Sequence, residues 1–200
     1  MIKDGPSISA ADNTNSRRAL LKGGIAALFA GVFSREVGAA SNAKESATAA
    51  KDVSIELFSA AGKSEKIVTL PKVIKTDAEW RKQLSVQSFK VARRSNTERA
   101  FSGEYAKSRG DGLYRCICCG NALFDSKTKF ESGTGWPSFW QPISSLNVIK
   151  NSDRSYGMQR DEIACSLCDA HLGHVFNDGP KPTGLRYCMN SVSLNFVPRG

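Results

Sequence analysis

Apolar residues alternate with polar ones from Ser191 to Val197, where Val192, Leu194 and Phe196 recur at every second position. That period predicts a half-buried strand. If the extended run reaches back to Arg186, alternation puts Arg186, Cys188 and Asn190 on the face that carries Val192, Leu194 and Phe196. Shorter apolar or aromatic runs punctuate the chain after Ala100: Leu113-Tyr114, Ala122 to Phe124, Trp136 to Trp140, Val148-Ile149 and Val175-Phe176. Separated by glycine and turn residues, they predict several short strands in a mainly β domain. Upstream, two apolar runs between Val53 and Leu70 flank Ala61-Gly62-Lys63-Ser64, as in a hairpin or peripheral extension. Thr76-Asp77-Ala78-Glu79 has capping-box spacing, and Trp80, Leu84 and a second start at Ser85 predict two short helices through Arg93.

The amino terminus has a different character. Ser16-Arg17-Arg18-Ala19-Leu20-Leu21-Lys22 precedes an apolar run of 11 residues, Gly23 to Phe33, and then Val37-Gly38-Ala39-Ala40. This resembles a twin-arginine export signal over residues 1–40, implying bacterial export of a folded protein to the periplasm or another exported compartment. A spanning helix needs about 20 apolar residues, so no stable membrane anchor is expected. Residues 41–75 then form a spacer and peripheral extension, and 76–200 one domain large enough for a real core. The net charge is +9, and +7 without the first 40 residues. Lysines and arginines are scattered, which argues for a soluble surface rather than a nucleic-acid stripe.

The six cysteines divide unequally. Cys116/Cys119 and Cys165/Cys168 are two Cys-x-x-Cys pairs, whose thiolates can close a tetrahedral four-sulfur zinc site, one metal per chain. Export would instead favour disulfides. A bond within each pair closes only a tiny loop, however, whereas a shared metal ties together segments separated by 45 residues. Cys188 is left free for chemistry. His171 and His174 are the chain's two histidines, and both follow Cys168 closely. They could be further metal ligands, ordinary loop residues, or acid/base groups beside Cys188. In Gly133-Thr134-Gly135-Trp136-Pro137-Ser138-Phe139-Trp140, the glycines permit unusual backbone angles and Pro137 biases Trp136 towards an extended form. Trp136 is thereby suited to wall a pocket, while Phe139 and Trp140 read as core. Asp178 to Gly184 is a turn-rich lead-in to Arg186.

The segments Gly133 to Phe139, His171 to Gly179 and Arg186 to Phe196, with both cysteine pairs in order, resemble the methionine-R-sulfoxide reductase family, B type. The resemblance covers roughly Thr76 to Val197. It implies two antiparallel β-sheets, short peripheral N-terminal helices and a structural zinc knuckle pair at the opposite end from the active site. Residue by residue it implies Cys188 as nucleophile, His171 and His174 as catalytic histidines, Arg186 and Asn190 as supporting groups, Trp136 in the substrate pocket and Asp178 orienting its neighbours. The implied reaction reduces the R epimer of methionine sulfoxide, free or in peptides, and leaves a sulfenic acid on Cys188. Arg186 would lower the thiol pKa.

Many relatives carry a resolving cysteine where this chain has Thr134. Cys118 is the one cysteine left without a role, so the expected reductant is an external thiol protein of thioredoxin or glutaredoxin type, with a Cys118–Cys188 disulfide as the alternative. A monomer is expected. Three other readings compete: a zinc-ribbon binding module, a thiol-disulfide oxidoreductase using one Cys-x-x-Cys pair, and a cysteine hydrolase built on Cys188.

Overall fold

The computed structural model describes residues 51–153 and 160–199. The expected leader over 1–40, and nearly all of the spacer after it, lie outside the described residues. A hairpin comes first, β1 (Asp52–Phe58) against β2 (Ser64–Pro71), as the two apolar runs predict. Helices α1 (Asp77–Gln83) and α2 (Val86–Arg94) follow. The Thr76–Glu79 capping box forms in both directions, and Ser85 caps α2. Each helix buries one aromatic anchor, Trp80 and Phe89. Among the described residues no helix is long and apolar enough to cross a membrane.

The rest is antiparallel sheet. Strands β3 (Gly112–Cys116) and β4 (Ala122–Asp125) pair with each other, and the chain's last strand, β11 (Leu194–Pro198), completes a three-stranded sheet ordered β11-β3-β4. The larger sheet contains β5 (Lys129–Phe130), β6 (Ser138–Phe139), β7 (Val148–Asp153), β8 (Arg160–Cys165), β9 (His171–Phe176) and β10 (Arg186–Met189). Its order is β5-β6-β10-β9-β8-β7. Tyr114 of the small sheet meets Phe139 of the large one edge to face at 5.0 Å, and Phe124 stacks on Phe139 at 4.5 Å. These buried rings form the seam between the sheets.

The expected continuous strand from Arg186 to Val197 is broken. Residues Ser191–Ser193 form a 3-10 turn, and β10 and β11 belong to different sheets. The physical reason is Glu98, buried at 4% exposure, whose carboxylate accepts the backbone N–H groups of Ser191 at 2.8 Å and Val192 at 3.1 Å. Those groups would otherwise need a ladder partner. Arg186, Cys188 and Asn190 therefore do not share a sheet face with Val192, Leu194 and Phe196.

The hairpin is sewn into the domain by Asn147, which is fully buried. Its Oδ1 accepts from Glu56 N at 2.8 Å, and its Nδ2 donates to the carbonyls of Glu56 at 2.9 Å and Ala122 at 2.8 Å. Asn147→Ala strands these backbone groups, and each buried unpaired group costs about 1–3 kcal/mol. A loss of about 2–4 kcal/mol is expected in urea unfolding. Stability equal to wild type would show that Asn147 does not hold the hairpin.

Candidate active site and metal centre

Strand register builds the site. Cys188 on β10 stands opposite His174 on β9 and, on its other side, opposite Ser138 on β6. Opposed residues of an antiparallel pair carry side chains on one face. His171 and His174 are three positions apart, which would send their rings to opposite faces of a regular strand. A bulge changes that: the register jumps between Ile163 and Ala164, so Ala164 opposes His171 and Leu172 is the extra residue. Both imidazoles then lie on one face, edge to face at 5.4 Å. Asn190 pins the bulge, because its backbone N–H and its Nδ2 both donate to the Leu172 carbonyl, at 2.8 and 3.0 Å. Gly173 lets β9 come this close, since a Cβ there would lie 2.1 Å from the Cys188 carbonyl oxygen.

Cys188, His174, Asn190 and Trp136 line a cavity of ≈ 120 Å³, joined by Thr97, Gly173 and Phe176. A larger groove of ≈ 440 Å³, lined in part by Lys107, Arg109, Lys127 and Lys129, contains no thiol or imidazole and is set aside as the reaction site. Trp136 is held by its indole N–H, which donates to the Glu98 carbonyl at 3.2 Å. Glu98 N donates to Asn190 Oδ1 at 3.0 Å. One residue thus positions the tryptophan, the asparagine and the turn after β10. His171 is not on the cavity wall. It packs behind His174 at 3% exposure, with Nδ1 2.6 Å from Glu162 Oε1.

Arg186 is clamped by Asp178 in two parallel bonds, Nε to Oδ1 at 2.9 Å and Nη2 to Oδ2 at 2.8 Å, and its guanidinium lies over Phe176 at 4.4 Å. That contact holds the Asp178 carboxyl below its ordinary range. Asp178 meets Arg186 rather than the cavity. The Cys188 thiol is pushed above its ordinary pKa by burial; Thr134, Arg186 and Ser138 pull the other way and are outweighed. The lowering expected from Arg186 exists but does not set the net direction. Thr134 Oγ1 lies 3.9 Å from the Cys188 sulfur, within reach of a weak O–H···S bond.

The remaining sulfurs gather elsewhere. Cys116, Cys119, Cys165 and Cys168 place their sulfurs within 4.8 Å of one another, so these four cysteines can bind one metal ion. Contacts of 3.6 Å run across the two knuckles, Cys116 to Cys168 and Cys119 to Cys165. All four are free cysteines, with no disulfide inside either Cys-x-x-Cys. Without a cation the crowded thiols cannot all ionise: Cys168 is driven down, first by Cys116, while Cys116 is driven up, first by Cys118. A divalent ion removes that conflict. Neither histidine belongs to the cluster. Gln83 Nε2 and Arg93 Nη1 donate to the knuckle carbonyls of Cys118 and Cys168, at 2.6 and 2.7 Å. Cys118 is buried in the first knuckle. The second knuckle leads directly into β9, which carries both histidines.

A two-sheet domain that carries a half-buried thiol beside an imidazole and a tryptophan, together with a separate four-cysteine centre able to bind a metal, defines a thiol enzyme. The SelR domain family matches residues 84–198, and the chain belongs to it. Among curated proteins, the chain is 58% identical over 130 residues to the peptide methionine sulfoxide reductase MsrB of Pseudomonas fluorescens Pf0-1, covering 65% of this chain and 99% of that protein. It is 56% identical over 130 residues to the protein of the same name from Pseudomonas syringae pv. syringae B728a, covering 65% of this chain and 99% of that one. The hairpin β1–β2 lies ahead of the family match.

Proposed function

We propose that the chain is a peptide-methionine (R)-S-oxide reductase in which Cys188 takes the sulfoxide oxygen. The observation that carries this reading is the placement of Cys188 directly opposite His174, at the floor of a small cavity walled by Trp136. The cavity of ≈ 120 Å³ leaves room for the methylsulfinyl tip of one side chain. The Cys188 proton passes to the histidine pair, and the thiolate attacks the electrophilic sulfur. The histidine proton is then delivered to the sulfoxide oxygen. The protonated oxygen then passes to the cysteine sulfur as the substrate S–O bond and the transient bond between the two sulfurs break, giving a sulfenic acid and free methionine, so the thiol sulfur is oxidised and the sulfoxide sulfur reduced by two electrons. Trp136 against the substrate methyl selects the R epimer, whose oxygen faces His174.

Two further parts belong to this reading. The four-cysteine centre holds zinc: zinc–sulfur bonds of about 2.3 Å in a tetrahedron put sulfurs about 3.8 Å apart, close to the observed 3.6 Å. A zinc so enclosed by four sulfurs is structural and leaves no open position for chemistry. The sulfenic acid is reduced by an external thiol protein of thioredoxin or glutaredoxin type, because Thr134 occupies the resolving position and Cys118 is buried in the knuckle. The Arg17-Arg18 leader supports action in the periplasm on oxidised exported proteins.

The test is turnover of separated R and S sulfoxides of a short methionine peptide with a small dithiol as reductant. Reduction of the R epimer alone is expected. Equal turnover of both epimers would contradict the reading, and so would an acyl-enzyme formed with ester substrates, the mark of a cysteine hydrolase.

A further inference from the structure

Glu162 is a carboxylate that the proposed chemistry leaves unused, yet it reaches one of the chain's two histidines and faces the other in the strand register. Its Oε1 lies 2.6 Å from His171 Nδ1, and in the β8–β9 ladder it stands directly opposite His174. Glu162, His174, Cys188 and Ser138 therefore form one row across four strands. Asn151 Nδ2 donates to the other carboxylate oxygen at 3.3 Å. The His171 bond, foremost, holds the Glu162 carboxyl below its ordinary range, so it is an anion at neutral pH. His171 Nε2 is buried without a hydrogen-bond partner among the described residues. Native cores rarely leave such an atom unpaired unless it has a use.

We propose that Glu162 is a positioning residue for the acid half of the reaction: by accepting the Nδ1–H of His171 it confines proton loading and release on that ring to Nε2 and fixes the ring's edge against His174. The two imidazoles then act as one unit beside Cys188, with His174 at the cavity and His171 behind it. This inference rests on the reductase reading. Among the described side chains, the charged and titratable groups around the pair are Glu162 on β8, and Cys188 and Arg186 on β10. On β7 the neighbour on this face is the uncharged Asn151, while Lys150 pairs with Asp161 on the other face at 2.7 Å. From α2, Arg93 is engaged by the Cys168 carbonyl.

The experiment compares metal-loaded full-length wild type, Glu162→Gln and Glu162→Ala by nitrogen-15 NMR of the imidazoles and by kcat, KM and the pH profile for the R sulfoxide of a short peptide. With two histidines in the chain the signals are simple to assign. A hydrogen-bonded Nδ1–H on His171 is expected in wild type and Glu162→Gln and should be lost in Glu162→Ala. In Glu162→Ala, kcat should fall roughly 10- to 100-fold at unchanged KM and metal content, less than the roughly 10²–10⁴-fold a positioned general acid contributes, because the acid is misplaced and not removed. Glu162→Gln should lie between, because the amide oxygen still accepts the Nδ1–H and orients the ring but carries no charge. Wild-type kcat in Glu162→Ala overturns the proposal, and so does a loss that comes with lost metal or an unfolded spectrum in both variants. A wild type inactive on the R epimer fails the reductase reading instead, and the NMR signal reports Glu162 independently of it.

Discussion

Replacing Cys188 with serine is expected to abolish reduction of the R sulfoxide, by at least about 10³-fold, the scale on which removing a covalent nucleophile acts. A serine hydroxyl can occupy the space but cannot accept the oxygen, so neither substrate excess nor more dithiol should restore turnover. The fold should survive, since serine fits the same space and the thiol's contact with Thr134 is a long one, at 3.9 Å. A mutant that keeps its activity would move the chemistry to another sulfur. The same thiol sets the pH dependence. Burial, the largest effect on Cys188, raises its pKa, so at neutral pH the thiol form dominates and single-turnover kcat/KM should climb as pH rises toward that pKa. Arg186 opposes the rise, so Arg186→Ala should push the climb to still higher pH. An unmoved profile would remove Arg186 from the electrostatics of the site.

Removal of the metal is expected to unfold the domain. A structural zinc bound by cysteines contributes about 10–16 kcal/mol in small metal-binding peptides, against about 5–15 kcal/mol for the whole stability of a typical domain. Loss of the ion therefore exceeds the stability available. The geometry says why the effect is global: the centre joins the turn between β3 and β4 to the turn between β8 and β9, and so ties the small sheet to the large one. Cys168→Ser should lose its metal and melt far below wild type, and a strong chelator should do the same to the native chain. Metal content and thermal unfolding are the measurements. A metal-free chain that melts like the native one would reduce the four cysteines to packing.

What could be read from the sequence was what is written locally. The Thr76–Glu79 box and the Ser85 start are patterns of a few residues, and both helices form where they predict. The four-cysteine cluster was legible because thiolates two residues apart have few other uses, and Cys188 drew notice because it stands apart from both pairs. Glu98 and Glu162 gave no such signal. Glu98 acts on Asn190 and Ser191 from more than 90 positions away, and a lone glutamate in a polar stretch looks like surface. The break between β10 and β11 escaped for the same reason, since alternation over Ser191 to Val197 fits a strand until the buried carboxylate claims the turn's N–H groups. Side-chain period alone would have parted His171 from His174; only the pairing register reveals the bulge that reunites them.

The most direct measurement is one turnover of the R sulfoxide by the isolated enzyme without reductant, followed by trapping of sulfenic acid and mass mapping of the six cysteines. One oxygen on Cys188 for each methionine formed is the expected result. Methionine formed while Cys188 remains an unmodified thiol, or an oxygen found on any other cysteine, would contradict it.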